Sequence, residues 1–220
     1  LQDIREITSK QGVVMIMDEV ICGFRISPGG AQARFNVQPD LTTMAKIVAG
    51  GLPGGAVGGK LEIMKLIGAQ HGPTINHPGT FNASPTSAAA GIATLELIAN
   101  KPINERADSM ASRLKNGLRD ALTKMEVIGH VHGIASVVHI ALGIECDCSG
   151  EICTTSHAKI AEATASPRAQ QVKLAMLNNG VDMMGGIGFM VSAVHTEREI
   201  DRTTAAFENT LTELREDGVV

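Results

Sequence analysis

Two ionisable side chains follow strand-like segments and could do chemistry together. Asp18 follows Val13-Val14-Met15-Ile16-Met17, and Lys46 follows Leu41-Thr42-Thr43-Met44-Ala45. An amine can condense with an aldehyde and later move protons at a neighbouring carbon. A carboxylate can pair with the nitrogen of a pyridine ring and keep it protonated, which makes the ring an electron sink. The spacing alone also fits a surface lysine after a strand and a carboxylate capping a loop. Between and beyond the pair lies Gly50-Gly51-Leu52-Pro53-Gly54-Gly55, a loop built for unusual backbone angles or close approach. It has no Gly-Lys-Ser/Thr and so is not the phosphate loop of nucleotide hydrolases.

Other candidates are weaker. Cys146-x-Cys148-x4-Cys153, with His157 nearby, could be read as a metal site, but the spacing fits no common zinc pattern. Reduced thiols in a polar excursion are the expectation, with no metal. His130 and His132 alternate on a strand and share a face, and ordinary packed histidines are expected there. Met15, Met17, Met183 and Met184 read as core fillers.

The elements must position these groups. The Val13–Met17 run predicts a strand buried on both faces, as in a parallel sheet. Carboxylates at its carboxyl end sit where open α/β sheets place ligands. Leu1–Ile7 reads as the end of a helix, Ala31–Phe35 as a short helical piece, and Leu61–Ile67 as another. Residues 68–83 read as loop. Ser84 then caps a helix with Pro85 at its first position, running to about Ala99 and apolar nearly all round, hence expected to be buried. After Pro102, the residues Ile103, Ala107, Met110, Leu114, Leu118, Ala121 and Met125 recur at helical spacing. Strands are expected at Val127-Ile128, Ser136–Ile140 and Phe189–Ser192. Ser166-Pro167 opens a helix with Gly180 just past its end, and Thr196-x-x-Glu199 is a capping box. The expected organisation is α/β: residues 1–104 as part of a large domain with a mostly parallel sheet, and residues 105–220 as a small α+β domain.

Composition narrows the function classes. The chain has 220 residues, 44% hydrophobic and 19% charged, which is globular. A net charge of −4 gives no bulk support for nucleic-acid binding. No stretch approaches the roughly 20 apolar residues of a membrane span. There is no leader-like start, and a cytoplasmic setting is expected. Trp and Tyr are absent, so aromatic groups of a small-molecule site are expected from elsewhere.

Several ordered motifs then carry a resemblance. Asp18-Glu19-Val20-x-x-Gly23-Phe24-Arg25, Pro39-Asp40-Leu41, and Lys46-x-x-x-Gly50-Gly51-Leu52-Pro53-Gly54-Gly55-Ala56-x-Gly58-Gly59 are similar in order and spacing to the class III aminotransferase signature. Gly29-Gly30-Ala31-Gln32 is similar to the insert of the glutamate-1-semialdehyde aminomutase branch. His77-Pro78-Gly79-Thr80-Phe81-x-x-x-Pro85 and Val191-Ser192-x-x-His195-Thr196 resemble later family motifs. The likeness covers almost the whole chain, least so at 143–166.

The resemblance implies the carboxyl-terminal part of a fold type I pyridoxal-phosphate (PLP) transferase. Lys46 would be the Schiff-base lysine, Asp18 would hold the pyridine nitrogen, and Val20 would pack on a ring face. Thr80 would bind the cofactor phosphate of a neighbouring subunit, so a homodimer is implied. Glu19 and Arg25 would form a supporting ion pair. The implied activity moves an amino group on a small amino or keto acid, by transamination or as an aminomutase. A racemase, epimerase or decarboxylase on the same scaffold, or a non-catalytic remnant, is the alternative. The family's amino-terminal half, with its phosphate-cradling turn and stacking aromatic, has no counterpart in this chain. Weak cofactor binding by the chain alone is therefore expected. Gly185-Gly186-Ile187-Gly188 stands where the aminomutase branch carries an acidic residue.

Overall fold

The computed structural model describes residues 1–146, 148, 153–185 and 187–220. The chain divides into two compact units, Leu1–Ile103 and Asn104–Val220.

The first unit opens with helix α1 (Gln2–Lys10) and runs into strand β1 (Ile16–Asp18). Helix α2 (Gly30–Arg34) leads back to β2 (Leu41–Ala45), which pairs parallel to β1 with Ile16 opposite Leu41 and Asp18 opposite Thr43. A short 3-10 turn, Lys46–Ala49, follows β2 directly. Strand β3 (Gly55–Gly59) then pairs antiparallel to β2, with Ala45 opposite Gly55. Helices α3 (Leu61–Met64) and α4 (Pro85–Asn100) complete the unit. Ser84 caps α4 through its side chain, which accepts from the Ser87 N–H.

One buried carboxylate ties this unit together. Asp40, just ahead of β2, accepts from the Met15 N–H at 2.7 Å and pairs with Arg5 of α1 at 2.9 Å and with Lys60, past β3, at 2.7 Å. These partners hold its carboxyl below the ordinary carboxylate range, Lys60 most, then the Met15 amide, then Arg5.

Two expectations for this unit fail for one reason. The Val13–Met17 run is not buried on both faces: Met15 and Met17 are buried, but Val13 and Ile16 are 54% and 58% exposed. Nor is α4 buried all round, since Gly91 is its sole buried residue while Ile92 and Leu97 are exposed. A parallel sheet needs a layer on each face. Among the described residues nothing covers the outer side of β1 or the outer side of α4.

The second unit has its own core. Helix α5 (Ile103–Lys124) buries Ala107, Ala111, Leu114, Leu118, Ala121 and Leu122, the stripe its helical spacing predicts. Strands β4 (Gly129–His132), β5 (Val137–Leu142) and β6 (Gly188–Met190) form an antiparallel three-stranded sheet in that order. Helices α6 (His157–Ala165), α7 (Pro167–Asn178) and α8 (Glu197–Glu216) complete it. Val172 and Met176 of α7, Phe207 and Leu211 of α8, and Val138 and Ile140 of β5 join one apolar cluster with α5. The capping box at Thr196 and Glu199 is present.

The strand expected at Val127-Ile128 begins two residues later. Glu126 adopts a left-handed conformation (φ 49°), and the Val127 N–H donates to the Leu122 carbonyl. Residues 125–127 are thus consumed in closing α5. Gly180 closes α7 in the same way, with φ 81° and the Val181 N–H on the Met176 carbonyl.

Candidate active site

The parallel pairing of β1 and β2 brings Asp18 and Lys46 to the same end of adjacent strands. Asp18 lies opposite Thr43, three residues before Lys46, and the Glu19 N–H extends the ladder by donating to the Thr43 carbonyl at 2.9 Å. Neighbouring strands lie about 4.8 Å apart, so the two backbones leave the sheet side by side.

The two adjacent carboxylates are separated by their surroundings. The Asp18 carboxylate is exposed, and its Oδ1 accepts from the Val20 N–H at 2.9 Å, which turns the chain off the strand. Glu19 is 1% exposed, and its two oxygens accept from the Ala31 and Gln32 N–H groups at 3.0 and 2.8 Å. Glu19 therefore anchors the first turn of α2, and Asp18 is the carboxylate left open to a ligand. Arg25 donates to the Ile21 carbonyl at 3.1 Å. Burial pushes the Cys22 thiol up, and Glu19 and Asp18 push it further, which favours its protonated form.

Lys46 is exposed, and among the described residues its amine takes part in no hydrogen bond or ion pair. Its backbone is left-handed, with φ 55°, at the junction of β2 with the 3-10 turn. For a residue with a Cβ this conformation costs roughly 1–2 kcal/mol. It also breaks the strand alternation, so the pleat of β2 does not dictate where the side chain points. Past the turn, Gly50 is left-handed too (φ 63°), and a Cβ there would stand 2.5 Å from the Ala90 carbonyl oxygen. The close approach expected of the Gly-rich loop is therefore to the backbone of α4.

Val20 is half-buried, two residues past Asp18. Thr80 lies in an exposed turn ahead of α4, and no hydrogen bond joins it to Asp18 or Lys46 among the described residues. The sequence places Asp40 in the Pro39-Asp40-Leu41 motif without assigning it this anchoring task. Its one signal was a carboxylate immediately before a strand.

In the second unit, His130 and His132 share a face of β4, with ring centroids 5.3 Å apart, and His139 of β5 stacks next at 5.5 Å from His132. The expectation of four free thiols holds for Cys22 and Cys153 only, because Cys146 and Cys148 are joined in a disulfide. His157, the histidine expected near the cysteines, is the first residue of α6, and His130 takes its place beside them.

An exposed lysine and an exposed carboxylate leave the same end of two adjacent parallel strands. With the small α+β unit that follows, this is the carboxyl-terminal part of the fold type I architecture of PLP-dependent transferases. The aminotransferase class-III family model matches residues 1–211, and the chain belongs to that family. Its cofactor is pyridoxal phosphate. The chain is 42% identical over 143 residues to a glutamate-1-semialdehyde 2,1-aminomutase of Methanococcoides burtonii, covering 65% of this chain and 33% of that protein. It is 32% identical over 221 aligned positions to the enzyme of the same name from Thermomicrobium roseum, covering 97% of this chain and 48% of that one. Among solved structures, an omega-transaminase from Sphaerobacter thermophilus superposes with a TM-score of 0.81 at 32% identity, covering 97% of this chain and 47% of that one. The chain thus spans half or less of the length of these relatives. No helix among the described residues is long and apolar enough to cross a membrane.

Proposed function

We propose that this chain supplies the lysine and the ring-nitrogen carboxylate of a PLP-dependent aminotransferase or aminomutase acting on a small amino or keto acid. The observation that carries this reading is a strained, unpartnered Lys46 and an open Asp18 leaving the same end of paired parallel strands. A costly backbone conformation that persists because its surroundings enforce it is common where chemistry is done.

Each residue then has a task. Lys46 would hold the cofactor through its aldehyde, and its amine would hold and move the proton at the substrate α-carbon. The Asp18 carboxylate pairs with the pyridine nitrogen and keeps it protonated. Pyridoxal phosphate, when bound, supplies the electron sink. Val20 packs on one ring face. Thr80 serves the cofactor phosphate of a second copy of the protein, which makes a homodimer the working unit. Glu19, by holding α2, frees Asp18 for the ring. A cytoplasmic setting suits this reading.

The test is covalent trapping in the protein purified with whatever its gene encodes upstream of Leu1. Incubation with PLP and then borohydride should leave one phosphopyridoxyl group, on Lys46, by peptide mass spectrometry. Labelling elsewhere, or none, sinks the proposal. Product analysis with an amino donor separates amino transfer from racemisation and decarboxylation.

A further inference from the structure

Three cysteines after β5 gather beside a histidine of β4. The chain leaves β5 at Leu142 and turns back at Gly143 (φ 78°), whose N–H donates to the Ile128 carbonyl at 2.8 Å. This turn lays Cys146 and Cys148 alongside the start of β4. Cys153 returns to them, its sulfur 3.8 Å from that of Cys146 and 3.9 Å from that of Cys148. His130 of β4 completes the group, and one ligand atom from each of the four residues lies within 4.8 Å of all the others.

Three features point to a ligand. First, His130 is 9% exposed, and its Nε2 is buried with no hydrogen-bond partner. A buried imidazole nitrogen left unpaired is costly, and a bound ion would satisfy it. Second, two of the three sulfur separations suit a tetrahedron: bonds of about 2.3 Å to zinc put sulfurs about 3.8 Å apart, which is how Cys153 stands from Cys146 and from Cys148, while the Cys146–Cys148 disulfide must first open. Third, backbone amides already donate to the sulfurs, Thr154 to Cys148 at 3.1 Å and Cys148 to Cys146 at 3.4 Å. Such donors steady thiolates at metal centres. A cleft of about 420 Å³, lined by His130, Cys146 and Cys148, opens beside the group.

We propose that His130, Cys146, Cys148 and Cys153 bind one zinc-like divalent cation when Cys146 and Cys148 are in the dithiol state. Three thiolates and one imidazole are soft donors of the zinc type, and four protein ligands leave no open position. The site is structural: it ties Cys146, Cys148 and Cys153 to β4. The disulfide form lacks the needed thiolates. Reaching the dithiol takes two electrons from a phosphine and two protons from water, whose oxygen ends in the phosphine oxide. On binding, each thiol gives its proton to buffer.

The experiment uses the whole chain, phosphine-reduced under anaerobic conditions, with Co²⁺ and then Zn²⁺ as probes. One Co²⁺ per chain should bind with the intense thiolate-to-cobalt charge-transfer and tetrahedral ligand-field bands of a multi-thiolate site, and Zn²⁺ should displace it. Zn²⁺ should shield Cys146, Cys148 and Cys153 from alkylation and leave the Cys22 rate unchanged. Cys153→Ser and His130→Ala should each weaken binding by about 100-fold or more, since even an outer-shell loss costs about 10–100-fold. His157→Ala and Cys22→Ser should bind as the parent does. The shielding pattern needs no variant and stands if one fails to fold. Absence of charge-transfer bands in the reduced protein, equal binding by the disulfide form, or dependence on His157 instead of His130 overturns the proposal.

Discussion

Gly91 of α4 and Val48 of the turn after Lys46 meet backbone to backbone: a Cβ on Gly91 would stand 2.4 Å from the Val48 carbonyl oxygen. The next pair repeats the contact, Gly50 against Ala90. The helix backbone is thus the wall behind the turn that presents the amine. Gly91→Val must push the two apart, because a carbonyl held in a packed turn cannot step aside. The expected cost is about 1–3 kcal/mol, with reduced phosphopyridoxyl labelling of Lys46. Gly58→Ala is the control: its Cβ would meet only the flexible end of Met44, at 4.0 Å. Urea titration and the labelling assay check both.

The strain at Lys46 separates stability from chemistry. Lys46→Ala keeps the left-handed cost and removes the amine, so labelling should vanish with stability within about 0.5 kcal/mol of the parent. Lys46→Gly should also lose labelling but gain up to about 1 kcal/mol, because relief of roughly 1–2 kcal/mol outweighs the greater freedom glycine has when unfolded. A glycine variant less stable than the alanine one would show that φ 55° is not enforced there.

Asp40 should make the first unit acid-sensitive. Its carboxyl binds a proton less readily folded than unfolded, the unfolded value being near 3.8. Its stabilising contribution is therefore complete above that value and fades as pH falls from there toward the depressed folded value. Asp40→Asn should lower protection of the Met15 and Met17 amides at neutral pH and flatten their loss of protection in acid. Hydrogen exchange followed by mass spectrometry from about pH 6 to about pH 2 reads this directly.

The second unit should respond to its own core. Leu118 is fully buried, and Leu118→Ala should cost about 2–5 kcal/mol. Ser166 caps α7 by accepting from the Ala169 N–H at 3.3 Å, and Ser166→Ala should cost about 1 kcal/mol. Denaturant unfolding followed by far-ultraviolet circular dichroism ranks the two, and a costlier loss at Ser166 would contradict this account of the core.

Local physics made much of this chain legible. The 3.6-residue stripe from Ala107 to Ala121, the caps at Ser84 and Ser166, and the left-handed Gly180 depend on near neighbours in sequence, so periodicity and cap chemistry suffice. Asp18 and Lys46 could be singled out because each stands at the carboxyl end of its strand. Burial on both faces of β1 could not be judged the same way. Apolar residues only say that a covering layer would suit them, and whether one exists is a property of the assembled fold.

The sequence by itself therefore determined which residues can do chemistry and which helices form. Tertiary structure alone decided which of them meet. It sent Glu19 inward to α2 and left Asp18 open, it set Gly91 against Val48, and it chose His130 over His157 for the cysteines. The physical reason is that strand pairing and chain reversal join residues far apart in sequence, as when the turn at Gly143 lays Cys146 beside β4, and no local pattern records such a meeting.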